Sequence, residues 1–166
     1  IDSKMGIAWT THMRFEKSLL EDQVWQDAKA SGCKYLHFGY ESGNERVLKL
    51  MDKATTTEIM TKHLKYTAEA GIWNHCMGFF GFPGETREEA WSSVEFLEQN
   101  KDYVHSLGFG TFDLGRHNPV AKHPEKFGVT AYKNPEWDLA LDYYFTVKQG
   151  LSIEEAERVF EEFERN

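Results

Sequence analysis

Glu41 and Lys53 are the residues in this chain best placed to bind a small molecule. Glu41 directly follows the apolar run 35–40, and a carboxylate at the end of a strand can accept hydrogen bonds from hydroxyl groups or an ammonium group. Lys53 follows twelve residues later and is a candidate to pair with a carboxylate of the ligand. The alternative interpretation is that both side chains are simply solvated.

A second polar segment, Gly81–Thr86, reads Gly-Phe-Pro-Gly-Glu-Thr and follows another apolar run. Glycine at position 81 permits a positive φ and a close backbone approach. The N-terminus of the helix expected after this turn is a natural cradle for an anion or a polar group. The segment lacks the lysine of a nucleotide P-loop and the glycine spacing of a dinucleotide-binding fingerprint. An ordinary strand-to-helix turn is therefore the alternative.

Polar residues also line the first predicted strand, where Thr10, His12 and Arg14 alternate and so share one face. A polar face on a parallel strand favours a barrel lumen or a cleft. His12, His37 and His75 fall near strand ends, so a three-histidine metal site, as in a metal-dependent hydrolase, is an alternative. Because these histidines lack the local spacing of a ligand motif, we predict no metal ligands in this chain.

Composition limits the classes of function that remain. The 166 residues are 40% hydrophobic, which predicts one folded domain, and the net charge of −8 argues against a general nucleic-acid or membrane-surface binder. Cys33 and Cys76 are too few for a disulfide scaffold or for an iron–sulfur cluster, and we expect them to be small core residues. With no signal peptide and no membrane-length apolar run, a cytoplasmic location is predicted.

The elements that must position these residues alternate between strand and helix. Hydrophobic periodicity and cap residues predict strands over 5–15, 35–40, 72–81 and 104–112, and helices over 19–30, 44–51, 57–70, 87–99, 137–149 and 152–164. Helix-length connections between strands imply an α/β fold with a parallel sheet and right-handed crossovers. Such a sheet is either a small open sheet or half of a barrel. The proline-rich stretch 114–135 is predicted to be an irregular loop.

In order and spacing, these segments resemble the radical S-adenosylmethionine (SAM) superfamily. The strand that ends at Arg14 resembles the third strand of that family. Leu36–Gly43, with the sequence Leu-His-Phe-Gly-Tyr-Glu-Ser-Gly, resembles the fourth strand and its end. Met77–Thr86, with its Gly-Phe-Pro-Gly-Glu-Thr end, resembles the fifth. The resemblance runs from about Trp9 to Leu97.

The resemblance implies a partial, TIM-like (β/α)₆ barrel. Residues 1–113 would form its C-terminal half, 114–136 an irregular loop and 137–166 a C-terminal helical extension. In this family a [4Fe–4S] cluster, held by a C-x-x-x-C-x-x-C loop, binds SAM and cleaves it reductively to a 5′-deoxyadenosyl radical. That loop is absent here, so we predict a fragment of an Fe–S oxidoreductase-like radical SAM enzyme that positions SAM and substrate, has no catalytic residue of its own and is inactive alone. The alternative is a stand-alone, non-catalytic α/β module that binds a ligand or partner without a cluster.

The resemblance also implies which residues bind SAM. Glu41 would contact the ribose or the amino group, and Lys53 would pair with the carboxylate. The other members of the predicted set are Ser42 beside Glu41, Gly81 and Phe82 near the adenosine, and Arg14 and His12 near the methionine end.

Further partners follow from the same resemblance. The cluster ligands and the rest of the barrel would belong to a longer parent protein. The run Pro124–Gly128 resembles members that carry a cobalamin-binding domain, which implies cobalamin in the parent. A half-barrel exposes the edge of its first strand, so self-association through that edge is also predicted.

Overall fold

The structure is a computed structural model that describes residues 6–132 and 141–165. Its main sheet has four parallel strands in the order β1-β2-β3-β4. This arrangement confirms the predicted α/β fold. The elements are β1 (Trp9–Met13), α1 (Asp22–Ala30), β2 (Cys33–Glu41), α2 (Glu45–Leu50), α3 (Thr57–Glu69), β3 (Trp73–Phe80), α4 (Arg87–Gln99) and β4 (Ser106–Thr111).

The remaining elements form a small antiparallel sheet and one C-terminal helix. The sheet has the order β5-β7-β6. The elements are β5 (Leu114–Gly115), α5 (Pro119–Lys122), β6 (Val129–Tyr132), β7 (Asp142–Val147) and α6 (Ile153–Glu164). The stretch 114–135 is therefore not an irregular loop where it is described, because it contains short strands and a short helix; residues 133–135 lie outside the described residues.

The helix predicted over 137–149 is wrong for Asp142–Val147, which forms β7. The segment Asp-Tyr-Tyr-Phe-Thr-Val is rich in aromatic and β-branched residues, which fit a pleated surface better than a helix. Phe145 is buried against Phe112, with ring centroids 5.7 Å apart. Residues 137–140 of that prediction lie outside the described residues.

The chain divides into two compact units. The first comprises residues 6–78 and 92–109, and the second comprises 79–91, 110–132 and 141–165, so that β3, α4 and β4 contribute to both. This division differs from the predicted borders at residues 113 and 136. Those borders stay a prediction about domains.

Strand β2 shows how the first unit separates its core from its polar face. Leu36, Phe38 and Tyr40 are completely or almost completely buried and belong to one apolar cluster with residues of α1 and α3. The alternate residues of β2, from Tyr35 to Glu41, are only half-buried. This alternation places Glu41 on the half-buried face with Tyr35, His37 and Gly39, as the sequence pattern indicated.

Side-chain caps begin several helices where the sequence predicted them. Thr56 accepts a hydrogen bond from the N–H of Ile59 at the start of α3, and Ser152 and Glu155 form a reciprocal capping box at the start of α6. The helix predicted from residue 19 begins at Asp22, because 17–19 form a 3₁₀ turn. Among the described residues, none of the helices is long and apolar enough to cross a membrane.

Candidate functional site

Glu41 and Lys53 form an ion pair at the carboxyl end of β2. The Nζ of Lys53 donates to Oε1 of Glu41 over 2.8 Å, and the two side chains are 32% and 23% exposed, respectively. The pair is thus neutralised within the protein yet open to a ligand. A molecule that carries both an ammonium and a carboxylate group can offer each partner a replacement charge.

The backbone at the end of β2 determines where the Glu41 carboxylate points. The pairing of β2 with β3 shifts its register between Gly39 and Glu41, and Glu41 has a φ of 63°. Bulges redirect side chains near functional sites, and positive φ is uncommon for residues other than glycine. A Cβ on Gly39 would lie 3.1 Å from Oε1 of Glu41. Glycine at position 39 therefore leaves room for the carboxylate.

Helix α2 fixes the distance between the two charged residues. Asn44 caps its start by accepting from two backbone N–H groups. At its end, the N–H of Lys53 bonds to the carbonyl of Leu48 and that of Asp52 to Lys49, with Asp52 at a φ of 56°. These bonds form a Schellman motif in which Lys53 is the last residue. A capped helix of six residues thus acts as a spacer between Glu41 and Lys53.

The loop after Glu41 is anchored on α4 through Ser93. Ser42 is fully buried, and its hydroxyl lies 3.0 Å from the hydroxyl of Ser93. The N–H of Gly43 donates to the same Ser93 oxygen over 2.9 Å. Ser42, which the resemblance assigns to SAM, therefore faces the protein interior. Its hydroxyl holds the loop that carries Glu41.

In the second unit, Gly81 and Phe82 belong to a tight turn. Gly81 has a φ of 87°, and its N–H donates to Oε2 of the fully buried Glu85 over 2.6 Å. The N–H of Glu85 donates in turn to the carbonyl of Phe82, closing a turn with Pro83 and Gly84 at its centre. The N–H of Gly81 therefore has a carboxylate of the protein itself as its partner. Phe82 is 6% exposed.

His12 pairs in register with His37, which precedes Glu41 by four residues on β2. Strand register aligns His12, His37 and His75 across β1, β2 and β3, and we call these three residues the histidine row. The rings of His12 and His37 stack with centroids 4.4 Å apart, and those of His37 and His75 meet edge to face at 5.3 Å. Arg14 follows β1 and is exposed.

The described residues do not fit a metal centre or an iron–sulfur cluster. Nowhere in the described ranges do three or more His, Cys, Asp or Glu side chains form a group that could hold a metal ion. Both cysteines are buried, as predicted; burial raises the pKa of Cys33 and raises that of Cys76 to about 12. They are therefore thiols at neutral pH, whereas cluster ligands are thiolates.

Two residues that shape this site were missed from the sequence. Ser93 lies inside α4, where a serine carries no signal of a distant hydrogen-bond partner. Asp52 adopts a left-handed conformation at the end of α2. A helix-like run followed by Asp-Lys could have suggested a left-handed cap, because Asp tolerates that conformation better than most residues.

Comparison with known proteins gives a family match over more than half of the chain. The family described as the Radical SAM superfamily matches residues 3–97. An uncharacterized methyltransferase of Pyrococcus horikoshii is 31% identical over 57% of this chain and 20% of its own length. The cytidylyl-2-hydroxyethylphosphonate methyltransferase of Streptomyces wedmorensis is 28% identical over 89% of this chain and 28% of its own length. The chain thus spans about a quarter of the length of these two relatives.

A solved structure extends the match in fold beyond the matched sequence. The cobalamin-dependent SAM radical enzyme OxsB, with aqua-cobalamin bound, superposes with a TM-score of 0.67 at 14% identity, over 89% of this chain and 28% of that one. At this identity the likeness concerns the fold alone. It agrees with the predicted partial barrel.

Proposed function

Because the chain belongs to the radical SAM superfamily, we propose that it positions SAM, and part of the substrate, within a larger radical SAM enzyme. The observation that carries this proposal is the Glu41–Lys53 ion pair at the end of β2. Lys53 would bind the carboxylate of SAM, and Glu41 its ammonium group or a ribose hydroxyl. When bound, SAM supplies the carbon–sulfur bonds whose cleavage drives the reactions of this family.

The pair is suited to this role because its geometry is set before the ligand arrives. The bulge before Glu41 and the Schellman motif before Lys53 hold both backbones in place. A preorganised site loses less conformational entropy on binding. Ligand charges then replace an existing charge partner, so neither side chain is left unpaired in a partly buried site.

The other predicted site residues receive supporting roles. We assign Ser42 to holding the Glu41 loop through Ser93. Gly81 and Phe82, in the turn of the second unit, stay candidates for the adenosine end of SAM. Arg14 and His12 stay candidates for the methionine end of SAM.

The rest of the reaction is assigned to the parent protein. We propose that the [4Fe–4S] ligands lie outside this chain, so the chain alone would be inactive. The relationship to methyltransferases supports methyl transfer as the reaction of the parent. Cobalamin as a further cofactor rests on the Pro124–Gly128 resemblance. In the described sheet β1 pairs only with β2, so its other edge is where we expect the remaining barrel, or a second copy, to pair.

The affinity of the full-length gene product for SAM tests this assignment. We expect Lys53→Met and Glu41→Gln each to weaken SAM binding about tenfold, the effect of losing one charge-assisted hydrogen bond. Isothermal titration calorimetry on the cluster-loaded protein would measure it. Lys62→Met is the matched control, because it removes a more exposed lysine paired with Glu58 on α3.

Wild-type affinity in both site variants, with the fold intact by circular dichroism, would contradict the assignment. Failure of the wild-type protein both to take up a cluster and to bind SAM would favour a cluster-free module that binds another ligand. A loss of affinity in Lys62→Met as large as in Lys53→Met would mean that net charge, not the site, is responsible.

A further inference from the structure

Two members of the histidine row, His37 and His75, are half-buried on the main sheet and have not been given a function, whereas His12 is exposed. The members of the row come from three adjacent strands and sit side by side in register. Ser106, at the start of β4, extends the row, because its hydroxyl lies 2.9 Å from Nδ1 of His75. All four residues belong to the first compact unit.

Ser106 is a junction that determines which nitrogen of His75 carries the proton. Its Oγ lies 2.9 Å from Nε1 of Trp73 and 3.1 Å from the hydroxyl of Tyr35, besides Nδ1 of His75. A hydroxyl has one proton and two lone pairs, and the indole N–H can only donate. The phenol is the better remaining donor and the imidazole the better acceptor. The chain of bonds therefore runs from Tyr35 through Ser106 to Nδ1 of His75.

This arrangement leaves the proton of neutral His75 on Nε2. A Cβ on Gly108 would lie 2.9 Å from that nitrogen. Glycine at position 108 thus leaves room for the edge of the imidazole ring that carries Nε2. His75 is half-buried, so its Nε2–H is neither enclosed in the core nor fully solvated.

The charges around the row favour a negatively charged ligand. The described strands β1 to β4 contain a single carboxylate, Glu41, which is already paired with Lys53. Arg14 follows the end of β1. His105, beside Trp73, uses its Nδ1 to accept from the N–H of Asn74. The described strands therefore place no unpaired carboxylate beside the imidazoles of His37 and His75.

We propose that the half-buried members of the histidine row, His37 and His75, bind an oxyanion, a phosphate or carboxylate group, with the Nε2–H of His75 as its first donor. Ser106 is a positioning residue that fixes the tautomer of His75. Assigning this group to the substrate rests on the proposed function. Binding of the oxyanion itself does not depend on SAM. The site would select substrates that carry an acidic group some distance from the reacting atom.

Titration of His75 provides a signature of such binding. Burial, together with the neighbouring imidazoles of His37 and His12, lowers the pKa of His75 in the free protein. A bound anion stabilises the imidazolium, so it must raise this pKa towards or above its ordinary value. By linkage, binding of the anion must strengthen as the pH falls through the pKa of His75.

Nuclear magnetic resonance of the ¹⁵N-labelled chain tests the proposal directly. We expect the free protein at pH 8 to show His75 protonated on Nε2. Inorganic phosphate or sodium acetate should raise the pKa of His75, whereas sodium chloride at the same ionic strength should not. Tighter binding of phosphate would indicate a phosphate ester, and tighter binding of acetate a carboxylate.

Variants distinguish a site from a general effect of charge. Ser106→Ala removes the bond that keeps the proton of His75 on Nε2, and Gly108→Ala places a Cβ 2.9 Å from that nitrogen. Each change should weaken the binding of the better oxyanion about fivefold, the effect of one lost hydrogen bond to an ion. His123→Gln, which removes an exposed histidine of the second unit, should leave it unchanged. A proton on Nδ1 of free His75, or equal responses to all three salts, would overturn the proposal. If the full-length protein binds the oxyanion but does not bind SAM, only the proposed function is overturned.

Discussion

Replacing Gly43 by alanine is expected to lower the free energy of unfolding of this chain by about 3 kcal/mol. A Cβ at this position would clash with the hydroxyl of Tyr40 and lie 2.8 Å from Cβ of Phe96 and 3.0 Å from Cα of Ser93. Tyr40 is fully buried and donates to the carbonyl of Ser93 over 2.8 Å. Either this bond breaks or α4 moves away from the loop that carries Glu41.

Urea denaturation of the variant and the wild type measures this effect. Gly110→Ala is the matched control, because a Cβ at Gly110 would have no described heavy atom within 4 Å apart from its two neighbours in the chain. We expect that change to alter stability by less than about 0.5 kcal/mol. Similar stabilities for the Gly43 and Gly110 variants would show that the packing around Gly43 is looser than described.

The second large effect is expected at Gly81, where alanine should lower the free energy of unfolding by about 3 kcal/mol. Its φ of 87° disfavours any residue with a Cβ by about 1–2 kcal/mol. The added Cβ would also lie 2.5 Å from Cβ of Ala156, which adds an overpacking cost of similar size. Both contributions act within the second unit.

A double-mutant cycle separates these two contributions. Ala156→Gly removes the Cβ that would clash but leaves the backbone strain at position 81. In the Gly81→Ala background it should therefore restore about half of the lost free energy of unfolding. On its own it should cost about 1 kcal/mol, because glycine weakens a helix. Strictly additive effects in the double variant, measured by the same denaturation, would rule out the contact.

Much of the fold follows from local signals that the tertiary structure does not override. The alternation along β2 separates the buried Phe38 from the half-buried His37 because successive side chains of a strand point to opposite faces. Ser152 and Glu155 mark the start of α6 because a capping box satisfies orphan backbone donors locally. Such features depend on residues only a few positions apart.

The features that escaped prediction depend on distant partners or on single backbone angles. Ser42 looked like a ligand contact from its place beside Glu41, but its partner Ser93 lies fifty-one residues away. The positive φ of Glu41 comes from the register shift against β3, which no local pattern encodes. Likewise, the strand character of β7 prevailed over helical spacing through the packing of Phe145.

Lys53 provides the most direct link between the structure and the proposed function. If its ammonium group pairs with the carboxylate of SAM, then removing either charge should abolish the same interaction. The protein variant Lys53→Met and a SAM analogue without the carboxylate group therefore form a cycle. Each change serves as the control for the other.

The decisive measurement is the affinity of wild-type and Lys53→Met full-length protein for SAM and for decarboxylated SAM, by calorimetry. We predict that the preference for SAM over decarboxylated SAM is about tenfold smaller in Lys53→Met than in the wild type. An undiminished preference for SAM in Lys53→Met would place the SAM carboxylate elsewhere and contradict the account.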